Sequence, residues 1–156
     1  MKRKLIILAI LVIITGVLIW RAQPEQVLKR RSKDLIGMAN SVSIGAGVFD
    51  LNRLKALLAD EVALEIEQVS MDREVVAEDQ VISTYQWLGE NVKRSSFEIL
   101  EFVGIDIHGS HATIKTRVVG VLEMENIRSM DGEYLVTFGW RKDARGDWVL
   151  ADLIWE

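Results

Sequence analysis

Cysteine is absent from the 156 residues. That excludes a disulfide, a thiolate nucleophile and any cysteine-based zinc site. Proline occurs once, and no low-complexity or repeated segment interrupts the chain, which argues against a long disordered linker. An excess of positive charge is also missing. Lys and Arg number 19 against 23 Asp and Glu, for a net charge of −4. The basic residues form no stripe with interleaved aromatics, so nucleic acid is not expected as a partner. The two histidines, His108 and His111, lie close together with Asp106 nearby. Zinc sites usually need three or four convergent ligands, so an exposed polar turn is expected here, with no metal and no cofactor.

What the sequence does have is one long apolar run. Met1–Lys4 is basic, and Leu5–Trp20 is then broken only by Thr15 and Gly16. As a helix this run covers about 24 Å at ~1.5 Å per residue, slightly short of a bilayer core of roughly 30 Å. Trp20 and Arg21 can sit at the interface and extend it. A cleaved signal peptide is the competing reading. It fits less well, because Ala22 has Trp20 two places before it and Pro24 just beyond. The expectation is a membrane anchor over residues 1–22, contacting the bilayer through residues 5–20, and one domain over residues 23–156. Basic residues flank the run on both sides (Lys2–Lys4; Arg21, Lys29, Arg30, Arg31 and Lys33), so charge does not fix orientation. The short N-terminal tail is that of a signal anchor, which places the C-terminal domain outside the cytoplasm. The Lys29–Lys33 run is either the solvated face of a helix or a contact to anionic headgroups.

Beyond the anchor, Pro24 opens a helix, and Val27, Leu28, Leu35, Met38, Ala39 and Val42 recur at helical spacing, with Asn40 on the opposite face. Ser43–Gly47 breaks the pattern. Asp50 is a candidate N-cap for a second helix with Leu51, Leu54, Leu57 and Leu58 as its stripe. Val62–Val69 alternates as a half-buried strand, and a third helix spans Asp79–Val92. From Ser96 onward the chain is strands: Phe97–Ile107 turning at His108–His111 into Ala112–Glu125, and Glu133–Lys142 turning at Asp143–Gly146 into Asp147–Glu156. Helices followed by a long antiparallel sheet make an α+β domain.

This order of elements resembles the nuclear transport factor 2-like superfamily, which includes ketosteroid isomerase and scytalone dehydratase. The likeness covers about Val27–Glu156. It rests on the Asp50–Asp60 helix running into a strand, the Asp79–Val92 helix, and the closing hairpin with Trp140-Arg-Lys before the turn and Gly146-Asp-Trp148-Val-Leu after it. The resemblance implies a cone of three helices packed on a curved antiparallel sheet. It also implies that such cones pair through their sheets. In the isomerases a tyrosine of the first helix helps form the oxyanion hole; here Val27–Val42 holds neither Tyr nor His.

Strand pairing around the His108–His111 turn sets Ile107 against Ala112, Ile105 against Ile114, Val103 against Thr116 and Glu101 against Val118. Phe97, Ile99, Val103, Ile105 and Ile107 then share the inner face with Ile114, Val118 and Leu122. In the last hairpin Tyr134, Val136, Phe138 and Trp140 join Val149, Ala151, Leu153 and Trp155. Glu101 becomes the one carboxylate among apolar side chains, a candidate general base or ligand carboxylate of raised pKa. A β-bulge would instead turn it to solvent and bring Leu100 or Phe102 inward. The candidate pocket for a small apolar ligand is Tyr85, Glu101, Thr116, Phe138, Trp140 and Trp155. The outer face would carry Leu100, Phe102, Val119, Val121, Leu135, Trp148, Leu150 and Ile154. An apolar patch of that size is expected to be covered, by a second copy or by a partner protein. Two functions follow as expectations. One is a membrane-tethered extracytoplasmic interaction or ligand-binding domain without catalytic activity. The other is a small-molecule lyase or isomerase with Glu101 as general base.

Overall fold

The computed structural model describes residues 2–42, 47–125 and 129–156, and their side chains except those of residues 2–9, 48, 49 and 69. Most of the expected Ser43–Gly47 break, the basic side chains of Lys2–Lys4 and the first part of the apolar run therefore lie outside the described residues. The first helix, α1, runs Lys2–Ala22. Its side chains from Ile10 to Trp20 are exposed, reaching 65% for Ile13. Among the described residues no helix is both long and apolar enough to cross a membrane.

Gln23 alone separates α1 from α2, Pro24–Ser41, whose first turn holds Pro24. Proline suits this position because its missing N–H would have had no partner there. Leu28, Ser32, Ile36 and Met38 of α2 are buried. Helix α3, Val48–Lys55, is capped by Gly47, and Asp50 sits inside its first turn. Asp50 is thus not the N-cap, and the stripe expected to continue through Leu57 and Leu58 stops short. The Leu57 carbonyl accepts the Leu150 N–H at 2.7 Å, so the chain is already tied to the sheet where strand β1, Leu58–Ile66, begins.

The single strand expected over Val62–Val69 is divided. A 3₁₀ turn at Glu67–Val69 and a left-handed Ser70 reverse the chain into β2, Met71–Ala77. Helix α4 follows at Glu78–Asn91. The Ala77 N–H at its start donates to the Gln80 side chain at 3.1 Å, one half of a capping box. The last four strands are β3 (Val92–His108), β4 (His111–Met124), β5 (Met130–Lys142) and β6 (Trp148–Trp155). Among the described residues, a 3₁₀ turn at Glu67–Val69 thus joins the three α-helices that follow α1, so the helical elements are not limited to the three expected for the domain.

One curved sheet of order β2-β1-β6-β5-β4-β3 results. It is not wholly antiparallel, because β1 pairs with β6 in parallel. Bulges decide which side chains enter the core. In β3, Ile99 stands opposite Val118, Glu101 opposite Arg117, Phe102 opposite Thr116 and Gly104 opposite Lys115. Leu100 and Val103 are the extra residues. In β6, Gly139 pairs with Asp152 and Trp140 with Leu150, which leaves Ala151 extra. Each inserted residue shifts the following side chains to the other face.

The core lies between the helices and the concave face. Strand β4 alternates as far as Gly120, with Ala112, Ile114, Thr116, Val118 and Gly120 buried. Helix α2 is pinned at its far end by Asn40, whose side chain donates to the Phe97 carbonyl at 2.8 Å and accepts the Phe97 N–H, while Ser95 donates to the Asn40 carbonyl at 3.1 Å. Asn40 therefore faces the sheet, not the opposite, polar side. From α4 the Tyr85 hydroxyl donates to the Met38 carbonyl at 3.1 Å.

Candidate functional site

The residues expected to line a pocket do not all meet. Phe138 and Trp140 are almost wholly buried and stack at 6.3 Å between centroids. Thr116 is buried beside them on β4 and donates to the Val136 carbonyl at 3.1 Å. Trp155 packs edge-on against Phe97 at 5.5 Å and tilted against Tyr134 at 5.7 Å. Burial, and secondarily the negative charge of Asp50, push the Tyr85 phenol above its ordinary value. Tyr85 therefore stays protonated at neutral pH as a donor strut between α4 and α2. These side chains fill the interior. Three buried polar atoms there, Ser32 Oγ, Trp140 Nε1 and Trp155 Nε1, have no hydrogen-bond partner among the described residues.

Glu101 departs from the expected inner position. The bulge at Leu100 turns it outward, where its carboxylate lies 3.5 Å from Arg117 and both side chains are more than half exposed. Val103 is also turned out, and Phe102 turns in beneath α2, with the ammonium groups of Lys29 and Lys33 at 5.6 and 5.8 Å from its ring. Because Glu101 is exposed, Glu101→Gln is expected to change unfolding free energy by less than about 0.5 kcal/mol, as for ordinary surface sites. Urea denaturation measures this, and a larger loss would mean that the ion pair organises the bulge.

The outward face of the sheet also differs from expectation. Trp148 and Leu150 are buried in the core, since the extra residue Ala151 lies between them and Leu153. Lys142 covers the Trp148 ring at 5.1 Å. The expected outer set of Phe102, Val119, Val121, Leu135, Trp148, Leu150 and Ile154 is thereby reduced. Val119, Val121, Leu135 and Ile154 remain, each half-buried. Val119 lies between Glu98 and Glu133, and Leu135 beside Arg117. Leu100 and Val103 are exposed on the edge strand β3.

The Lys29–Lys33 run is also partly engaged within the fold. Arg31 donates to the Ala56 carbonyl at 3.2 Å and lies 3.9 Å from Asp147. His108 is paired with Asp106 at 2.9 Å and His111 touches Ser110 at 3.2 Å, on an exposed turn. Among the described residues no three His, Cys, Asp or Glu side chains converge.

Among the described residues, two surface grooves stand out. One, of about 410 Å³, lies between the α3–β1 corner and the β5–β6 turn. The other, of about 400 Å³, is lined by Glu65, Glu67, Asp72, Trp155 and Glu156 among others. Neither was visible in the sequence, because their walls come from segments far apart in the chain.

The arrangement of α2, α3 and α4 over a six-stranded sheet has close counterparts among solved structures. A nuclear transport factor 2-like protein from Cytophaga hutchinsonii superposes with a TM-score of 0.63 at 16% identity, over 85% of this chain and 97% of that one. The chain has a nuclear transport factor 2-like fold. A ketosteroid isomerase-like protein from Erwinia carotovora atroseptica matches with a TM-score of 0.63 at 18% identity, over 86% and 95%. A superfamily protein from Salmonella enterica matches with 0.63 at 12%, over 85% and 91%. No family model and no curated protein matches the sequence. At these identities the likeness concerns the fold, and a fold of this kind hosts both enzymes and binding modules.

Proposed function

We propose that the protein is a membrane-tethered, extracytoplasmic interaction domain without catalytic activity, which pairs through the outward face of its sheet. The observation that carries the tether is the first helix. Its apolar side chains from Ile10 to Trp20 are exposed all round, which no stable element tolerates in water. Its apolar part, Leu5–Trp20, covers about 24 Å at ~1.5 Å per residue, and Trp20 and Arg21 at the interface would extend it toward the hydrocarbon thickness of roughly 30 Å.

The non-catalytic part of the proposal is supported by how the interior polar groups are used. Tyr85 and Thr116 donate to backbone carbonyls, and Glu101 is outside. The sheet face supports an interface of the non-obligate kind. Val119, Val121, Leu135 and Ile154 alternate with charged side chains, which is the composition of surfaces that associate and separate.

The full chain is expected to stay in the membrane fraction after carbonate washing, and a reporter fused at Glu156 to be active only outside the cytoplasm. In detergent it is expected to sediment as a dimer, and Leu135→Glu to make it monomeric without unfolding it. Release by carbonate would remove the tether. A wild-type chain that is monomeric at high concentration would remove the pairing.

A further inference from the structure

Helix α2 begins one residue after the apolar helix. That residue, Gln23, has an extended backbone (φ −60°, ψ 136°), and its N–H donates to the Trp20 carbonyl. Pro24 has no N–H to carry the helical ladder across the junction. The chain axis turns at Gln23, and a connection of one residue leaves the domain no slack to drift away from whatever holds α1.

The outer face of α2 follows from its inner one. Leu28, Ser32, Ile36 and Met38 turn toward the core. At ~100° per residue, Gln26, Lys29, Arg30, Lys33 and Gly37 fall together on the arc left outside. Lys33 is three residues from Arg30 and four from Lys29, spacings that bring side chains side by side on a helix. The fold keeps Lys29 and Lys33 on one side, since their ammonium groups lie 5.6 and 5.8 Å from the same Phe102 ring. No carboxylate falls within the arc. Of the two that flank it, Glu25 is paired with Lys29 at 2.7 Å and Asp34 lies 3.9 Å from Arg53. Arg30, and Arg21 before the junction, are exposed and have no carboxylate partner among the described residues. Like charges at these spacings repel, so the face calls for negative charge from outside the domain.

We infer that the outer face of α2 lies on the headgroup layer of the membrane that holds α1, with Arg21, Lys29, Arg30 and Lys33 against the phosphates of anionic phospholipids. The inference rests on the tether proposed above, and not on which side of the membrane the domain occupies. The headgroup layer is roughly 5–8 Å deep, and an anionic surface attracts cations over a screening length of about 8–10 Å. Each basic side chain at such a surface strengthens attachment about fivefold. The anchor already supplies the proximity, so these contacts need only orient the domain. With α2 laid down, the sheet stands beyond the helices, and its outward face points away from the bilayer and stays open to a partner.

The chain has no cysteine, so Gly37→Cys carries a single nitroxide label, and a Cβ at Gly37 meets nothing within 4 Å. The labelled full chain is placed in phosphatidylcholine vesicles with or without about 30% phosphatidylglycerol. Collision of the label with a neutral nickel chelate is then read by electron paramagnetic resonance. Phosphatidylglycerol is expected to lower the collision rate at least about threefold. A label at Val75→Cys, 62% exposed on the edge strand β2, should show no change. Replacing Lys29, Arg30 and Lys33 together by Gln should abolish the protection at Gly37, with an unchanged melting temperature verifying the fold. Salt at about 0.5 M should abolish it without any substitution. Equal collision rates in both vesicles, in a chain that resists carbonate, overturn the docking and leave the tether standing. Protection that survives both the substitutions and salt overturns it equally. Release by carbonate removes the tether and the docking with it.

Discussion

Trp140→Ala is expected to lower unfolding free energy by about 3–5 kcal/mol, the range for truncating a buried aromatic side chain. Trp140 is 1% exposed, stacks on Phe138 and lies opposite Ala112 of β4 and Leu150 of β6. Small or fully packed neighbours cannot collapse into the space left behind, so the cavity cost adds to the lost burial. A loss of this size is a large share of a typical domain stability of about 5–15 kcal/mol. Trp140→Phe separates the two parts of the side chain. The indole N–H is buried without a partner among the described residues, so its removal forfeits no hydrogen bond to them, and the loss should be less than half that of Trp140→Ala. Urea denaturation of both variants checks this. Equal losses would show that the indole N–H itself is held.

The second large effect is expected at Gly120. Phe97 of β3 stands opposite Gly120, and Gly132 of β5 flanks it on the other side. A Cβ at Gly120 would overlap the Phe97 ring, 2.5 Å from Cε1 and closer still to Cδ1. The ring cannot swing away easily. The ring lies in a T-shaped contact with Trp155, and its backbone is held by Asn40. Gly120→Ala should therefore cost about 3 kcal/mol, the upper end of overpacking effects, and Gly120→Val more. The cause is testable through coupling. Phe97→Leu alone is destabilising, but combined with Gly120→Ala it should recover part of the loss, giving an interaction energy of about 1 kcal/mol or more. Strict additivity of the two changes would mean that something other than the Phe97 ring opposes a side chain at position 120.

Both predictions sit where the local pattern was readable. Helices α2 and α4 were legible because their apolar residues repeat every three or four positions over several turns. Pairing of β3 with β4 was legible near the turn, where Ile107 meets Ala112 and Ile105 meets Ile114 as the spacing implies. Counting from the turn then failed at Val103, next to Gly104, the one residue in the run whose type favours a bulge, while Leu100 carries no such mark. Strand β2 was missed for a different reason. It is an edge strand whose middle residues are all exposed, so it lacks the alternation that a half-buried strand imprints on its sequence.

The amino-acid sequence by itself determined the one long apolar segment, the exclusion of thiol chemistry, the order of α2 to α4 and of β3 to β6, and the apolar character of both Phe138 and Trp140. These depend on composition and on neighbours within a few positions. The parallel pairing of β1 with β6, the inward placement of Trp148 and Leu150, the outward placement of Glu101 and the two surface grooves were decided only in the tertiary structure. The physical reason is the two-residue period of a strand. One inserted residue at Leu100, Val103 or Ala151 exchanges the faces of everything beyond it. Whether a strand accepts that insertion depends on the helices and strands it must pack against, which lie tens of residues away in the chain.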